Sequence, residues 1–408
     1  ADTFLWIEGS RRHSWRQCIV TARDRGAALS SSSTPRAMRM HVPLQHVAMA
    51  GQAGHVVPSS MPIQGSAEFS IGPHYSPSKE FAGSPNDTVK GRIHKLEMRS
   101  ENSKIYPGVK QDGKARAALP RTAPSPPTHP KGFVNIRQDT PLQYVPGVHP
   151  YRREVVVYVP HADFHEPGAP FPFIVVNDGP GWVDKVVPAL DALIGQGRIP
   201  PMVALFVASG GGDGQGSQRC LEYDTASGLF AEFIEDEVIP FVCQTCAPPI
   251  QLTSDPEGRA ALGGSSGGVA AFCMAWFRPD LYRRVLCYSG SFVNQQYPYN
   301  PVTPLGCWDF HGGSQLIRNG PKKPIRVCMF VSEYDLGFQL EEQSWHNWPL
   351  SNRRMAAVLE ECGYQYRHIF CQKAGHVDDR VIYQTVAEAL EWLWDGYKSQ
   401  GPQVGAVE

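Results

Sequence analysis

The chain has 408 residues, enough for one large domain or two medium ones with a sizeable core. Its 38 basic and 39 acidic residues leave a formal net charge of -1, which excludes the strongly basic field expected of a nucleic-acid or anionic-membrane binder. No apolar run reaches the roughly 18 residues of a transmembrane helix, so no membrane span is expected.

Residues 1–85 sustain no hydrophobic period and are rich in Gly, Pro, Ser and His. They read as a disordered or loosely packed extension. Within it, Arg11, Arg12, Arg16, Arg23, Arg25, Arg36 and Arg39 with Ser30–Ser33 share the composition of organelle transit peptides, against which Asp2, Glu8 and Asp24 count. Order is expected from Gly91-Arg-Ile-His-Lys-Leu-Glu-Met98, whose apolar residues alternate as in a strand. The Pro-, Ala- and Lys-rich stretch over residues 110–130 reads as a loop insertion.

From residue 151 short apolar runs recur. Glu154–Val159, Phe173–Val176, Met202–Val207, Arg259–Leu262, Arg284–Tyr288, Ile325–Val331 and Tyr366–Phe370 are predicted strands. Helices are predicted over Gly228–Val242, Val269–Phe277, Trp348–Cys362 and Val386–Trp394. Nearly continuous apolar strands alternating with helices imply an α/β domain over residues 86–400, with a mostly parallel central sheet covered on both faces, and a tail at 401–408. Ligands of such sheets bind beyond the carboxyl ends of the strands, where the runs Asn177-Asp-Gly-Pro-Gly181 and Ser209-Gly-Gly-Gly-Asp213 fall.

The ten cysteines are scattered. Cys273, Cys287, Cys328, Cys362 and Cys371 sit in apolar or strand-like runs and read as small core residues or free thiols. Cys243 and Cys246 form one isolated CxxC, lacking the further ligands of a zinc site or the context of a redox motif, and read as a local disulfide or two unpaired thiols. No His/Asp/Glu cluster has metal-ligand spacing, so neither metal nor cofactor is expected.

The sharpest signal is Leu262-Gly-Gly-Ser-Ser-Gly-Gly-Val269, which follows a predicted strand and opens an apolar helix. That is the context of a nucleophile elbow, where small residues flank a serine on a crowded strand-to-helix turn. Two frames satisfy the pattern, one centred on Ser265 and one on Ser266. Ser265 is preferred because it leaves Gly267 and Gly268 to open the helix against the sheet. A serine nucleophile of this kind needs a histidine base after the acid in the chain. Of the 14 histidines, His376 follows the last predicted strand in a small-residue context. The acid is expected to end the preceding strand, which offers Glu333 and Asp335. Asp335 is preferred, having a loop to turn it toward the imidazole and a short side chain. An oxyanion hole needs two convergent N–H groups: that of Ser266, and one from the early loop at Gly179 or Gly181, since Pro180 has none.

Asn177-Asp-Gly, Gly211-Gly-Asp-Gly-Gln-Gly-Ser-Gln-Arg219 with Glu222-Tyr223, Gly263-Gly-Ser-Ser-Gly-Gly268, Tyr288-Ser-Gly-Ser-Phe292, Asn347-Trp-Pro-Leu350 and Gly375-His376 resemble the esterase family that includes enterochelin esterases, esterase D and the mycolyltransferases. The resemblance covers about residues 85–400. It implies an α/β-hydrolase fold with a triad of Ser265, Asp335 and His376, and a loop beside the site braced by Arg219, Glu222 and Tyr223. Trp182, Tyr223 and Trp348 are candidates to line the substrate pocket, and Arg219 and Glu222 are counted with them as substrate-binding residues. The expected activity is hydrolysis of a small-molecule ester through an acyl-enzyme. The alternatives are acyl transfer on the same triad and an idle hydrolase-fold subunit of a larger assembly.

Overall fold

The computed structural model of the protein describes residues 67–82, 89–108, 150–212, 217–296 and 300–398. The predicted insertion at 110–130, the tail at 401–408 and residues 1–66 of the predicted extension lie outside these.

Nine strands form one sheet: β1 (Ala67–Ile71), β2 (Arg92–Arg99), β3 (Arg152–Val159), β4 (Phe173–Asn177), β5 (Val203–Val207), β6 (Arg259–Gly264), β7 (Arg284–Tyr288), β8 (Arg326–Tyr334) and β9 (Gln365–Gly375). Their order is β1-β9-β8-β7-β6-β4-β5-β3-β2. Every pairing from β1 across to β5 is parallel, and β3 runs antiparallel to both of its neighbours. The central strands are apolar along their whole length because both faces are covered: every residue of β4, β5, β6 and β7 is buried. Alternation then deals their side chains to two cores. Phe173 and Val175 pack with α6 (Ser266–Phe277) on one face. Ile174 and Val176 pack with α2 (Val183–Gly195) and α9 (Asp379–Trp394) on the other. Because β4, β6, β7, β8 and β9 are parallel, the loops at residues 177–182, 265, 289–291, 335–337 and 376–377 all emerge at one edge.

Residues 67–82 correct the predicted extension. β1 pairs residue by residue with β9, from Ala67 opposite Arg367 to Ile71 opposite Cys371. The short helix α1 (Lys79–Ala82) places Glu80 2.5 Å from Arg198, which also holds Glu391 of α9. The run Ala67-Glu-Phe-Ser-Ile71 alternates apolar and polar residues, a short strand pattern that the edge of β9 completes with a ladder. The predicted helix over Gly228–Val242 is also broken, into α4 (Leu229–Phe233), a π-helical turn (Ile234–Val238) and α5 (Ile239–Thr245). Pro240 has no N–H to give the carbonyl four residues back, and Ile239 N–H reaches Ile234, a five-residue step.

Candidate active site

The loop between β6 and α6 carries Ser265 at φ 56 and ψ -127. A non-glycine residue held there stores strain on the order of 1–3 kcal/mol, so its surroundings must over-determine it. They do. Ser265 N–H donates to the Tyr288 carbonyl (2.9 Å), and the Ser265 carbonyl accepts from the N–H groups of Gly268, Val269 and Ser291. The glycines are set by contact. A Cβ on Gly263 would lie 2.3 Å from the Gly267 carbonyl oxygen, and one on Gly264 would lie 2.8 Å from Val377 and 2.9 Å from Trp182. The two candidate serines differ plainly. Ser266 is buried in the first helical position, its Oγ accepting from Gln295 Nε2 at 3.1 Å. Ser265 sits half-exposed at the strained turn.

Across the edge, Asp335 is buried and His376 Nδ1 lies 2.5 Å from its Oδ1. Three other donors converge on the same carboxyl group: Leu336 N–H on Oδ1 at 2.8 Å, and Ser289 Oγ (2.6 Å) and Ser332 N–H (3.2 Å) on Oδ2. Glu333 goes elsewhere, accepting the Lys373 N–H at 2.7 Å. The two carboxylates would share a facing only if the strand continued through both. Instead the ladder is irregular between Ser332 and Tyr334, and β8 ends there. The His376 ring stands edge-to-face with Trp348, centroids 6.0 Å apart. Trp348 Nε1 donates to Ser291 Oγ (3.2 Å), which in turn lies 3.4 Å from Ser265 Oγ. Among the described residues this is the side-chain hydrogen bond that Ser265 makes. No hydrogen bond joins Ser265 to His376 among the described residues; such catalytic bonds commonly tighten only when substrate binds.

The loop after β4 approaches the elbow from the other side. Asn177 Nδ2 donates to the Gly267 carbonyl at 2.8 Å. Asp178, at φ 55, accepts a forked pair from Arg219 (Nε at 2.9 Å, Nη2 at 2.7 Å), and its N–H donates to the Tyr223 hydroxyl. Of the two candidate amides, that of Gly181 is already spent on the Asp178 carbonyl (3.2 Å). Gly179 is pressed on β5, where a Cβ would meet the Phe206 carbonyl carbon at 2.1 Å.

A family model described as "Putative esterase" matches residues 149–355, half of the chain. The chain belongs to the esterase family. Family and sheet order together give the α/β-hydrolase fold. The Iron(III) enterobactin esterase of Dickeya dadantii (strain 3937) is 32% identical over 123 residues, 30% of this chain and 26% of that protein; the match thus spans about a quarter of that relative's length. Similar solved structures include the enterobactin esterase of Shigella flexneri (TM-score 0.43, 19% identity, 60% of this chain and 56% of that one). Another is the feruloyl esterase module of Clostridium thermocellum (TM-score 0.48, 14% identity, 84% and 99%).

The expected substrate-binding residues separate. Glu222 is buried against Arg153 of β3, with Nη2 at 2.7 Å and Nη1 at 2.9 Å, and also accepts the Gly210 N–H. Tyr223 is fully buried, its ring edge-on to Phe230. Trp182 packs under the elbow against Tyr288 at 5.7 Å. These three are therefore core and bracing residues, which corrects their expected contact with substrate. Arg219 and Glu222 serve two different ion pairs rather than one another. Burial alone would lower the pKa of Arg219, but its bond to Asp178 outweighs this and holds it above its ordinary value. Trp348 alone of the expected set touches both His376 and the hydroxyl chain at Ser265. Cys243 and Cys246 are free thiols.

Sequence reasoning missed Ser289, Ser291, Asp224 and Gln295 as residues of this edge. Ser289 and Ser291 lie in Tyr288-Ser-Gly-Ser-Phe292, a run the resemblance singles out without giving either serine a role, and that run was their available signal. Asp224 had none. Its carboxyl group accepts from Gln295 Nε2 at 2.8 Å, the same nitrogen that meets Ser266 Oγ. Burial pushes its pKa up to about 6, against the opposing effect of donors from Gln295, Ser266 and Cys220 and the charge of Arg219. No helix of the described residues is long and apolar enough to cross a membrane, and no group of three or more potential metal ligands occurs among them.

Proposed function

We propose that the protein is a serine-dependent carboxylic ester hydrolase with Ser265 as nucleophile, His376 as base and Asp335 as acid. The observation that carries this reading is the Asp335–His376 pair at 2.5 Å opening on the same sheet edge as a serine at φ 56. Asp335 fixes the imidazole so that Nδ1 carries its proton and Nε2 is left to accept one. Ser265 Oγ attacks the acyl carbonyl carbon as its proton passes to His376 Nε2. The carbonyl oxygen takes the negative charge against the N–H of Ser266, at the positive end of α6, and the N–H of Gly179. Gly179 is favoured over Gly181 because the latter's amide is already bonded. His376 returns the proton to the departing alkoxide, leaving an ester on Ser265. Water, deprotonated by the same imidazole, then reverses the sequence and frees the acid. The loop carrying Gly179 is kept in place by Asn177 on Gly267, by Arg219 on Asp178 and by the Asp178 N–H on the Tyr223 hydroxyl, so Arg219 and Tyr223 contribute by bracing, while Glu222 ties Gly210 to Arg153.

The test is labelling by a fluorophosphonate with the adduct mapped by mass spectrometry, alongside turnover of short-chain p-nitrophenyl esters. One adduct on Ser265 is expected. An adduct on Ser266, or none, overturns the assignment.

A further inference from the structure

The two hydroxyls that follow β7 divide their work. Ser289 Oγ donates to Asp335 and accepts the Val377 N–H (3.2 Å), so it steadies the acid and the histidine loop. Ser291 lies on the other side, against the nucleophile. It is fully buried, and its N–H donates to the Ser265 carbonyl at 3.1 Å while its Oγ lies 3.4 Å from Ser265 Oγ. Trp348 decides which way the Ser291 proton points. An indole N–H can only donate, so at 3.2 Å it occupies a lone pair of Ser291 Oγ. Ser265 Oγ is then the acceptor within reach of the Ser291 proton. The opposite direction would aim the Ser265 proton at Ser291 and away from His376. Asn352 Nδ2, on Gly290 and Trp348 carbonyls at 2.9 and 3.0 Å, fixes both ends of this relay.

We propose that Ser291, oriented by Trp348, is a further catalytic residue that donates a hydrogen bond to Ser265 Oγ while His376 takes the Ser265 proton. The inference rests on the proposed triad. In acylation the Ser265 Oγ–H bond breaks, the Oγ–carbon bond forms and the proton goes to His376. Ser291 keeps its own proton throughout and stabilises the charge developing on Oγ. When the acyl-enzyme breaks down, the Oγ–carbon bond breaks and the same donor meets the returning charge. Ser291 thus acts on the nucleophile's oxygen, where the oxyanion amides act on the carbonyl's.

Removing one such neutral donor is expected to slow phosphonylation of Ser265 by about tenfold. Ser291→Ala and Trp348→Phe are therefore assayed for fluorophosphonate labelling rate, for kcat and KM on p-nitrophenyl and alkyl esters of one acid, and for thermal midpoint. The expected result for Ser291→Ala is an equal fall in labelling rate and kcat, KM unchanged and the same factor for both leaving groups. Trp348→Phe is expected to slow labelling about threefold, and to have no further effect in a Ser291→Ala background, since it acts through that hydroxyl. If Ser291→Ala does not fold, Trp348→Phe carries the test. Labelling within twofold of wild type in the variant measured, or a loss confined to KM, overturns the inference. A factor that grows with the poorer leaving group would move Ser291 to the leaving oxygen and overturn it equally. Labelling that persists in Ser265→Ala would overturn the proposed function itself, whereas abolished labelling there with an unchanged Ser291→Ala rate overturns this inference alone.

Discussion

Asp224→Asn should make the protein less sensitive to pH. Asp224 is 3% exposed, and burial lifts its carboxyl from 3.8 to about 6. A carboxyl raised on folding contributes stability that is fully present below its unfolded pKa and is lost as pH rises through its folded pKa. The gap of about two units corresponds to roughly 3 kcal/mol, the folded protein being weakened by that amount once Asp224 is ionised. About half of this loss falls between about pH 5 and about pH 7.5, the remainder lying at lower pH. The neighbours facing the group are Gln295, Ser266, Cys220 and Arg219, and Arg219 is already committed to Asp178. An amide cannot ionise, so the variant should lack this component of the slope, near neutrality gaining on wild type by about 1.5 kcal/mol relative to their difference at about pH 5. Urea unfolding of both proteins at the two pH values gives the double difference, in which every other titrating group cancels. A variant whose stability follows pH as steeply as wild type would refute the assignment of that slope to Asp224.

Asp335→Asn should lower kcat by several orders of magnitude, since it disturbs the tautomer of His376, whereas Glu333→Gln, which loses a contact with the Lys373 amide, should stay within a fewfold; steady-state kinetics on one ester compare them. Gly264→Ala drives a methyl group against Val377 and Trp182, an overpacking expected to cost about 1–3 kcal/mol and to displace the loop of His376, seen as a lower thermal midpoint together with lower kcat. Truncation to residue 85 removes β1, uncovers the edge of β9 and strips Arg198 of Glu80; the shortened protein should unfold at lower urea, and an unchanged midpoint would show that β1 contributes nothing. Activity should survive EDTA, because the proposed steps use side chains and amides alone; loss on chelation with rescue by zinc would require another mechanism.

The residues that carry the candidate chemistry were legible because local sterics constrain them. Gly263, Gly264 and Gly267 read as an elbow before any contact was known, since a strand turning sharply into a helix beneath an exposed serine leaves no room for side chains. The parallel, doubly covered sheet was legible for a similar reason: burial on both faces makes strands such as Phe173–Asn177 continuously apolar. His376 could be chosen from fourteen histidines by chain order and its small neighbours. What the sequence left open were choices made by contacts between segments far apart in the chain. Asp335 was separated from Glu333 by an irregularity between β8 and β9, 41 residues from the imidazole it meets. Glu222 and Tyr223 resembled residues of a binding site but turned inward, because Arg153 on β3 and the Asp178 amide were waiting for them. β1 alternates apolar and polar residues over only five positions, and it is a strand because β9 offers it an edge to pair with. Ser291 became visible only when β7 was laid beside the elbow and Trp348 of α8 (Trp348–Glu361) was brought onto its hydroxyl. Local rules determine which residues can form a strained turn or a buried strand. Which carboxylate, amide or hydroxyl faces the reacting atoms depends on hydrogen-bond partners tens to hundreds of residues away, and those are supplied only when the sheet closes.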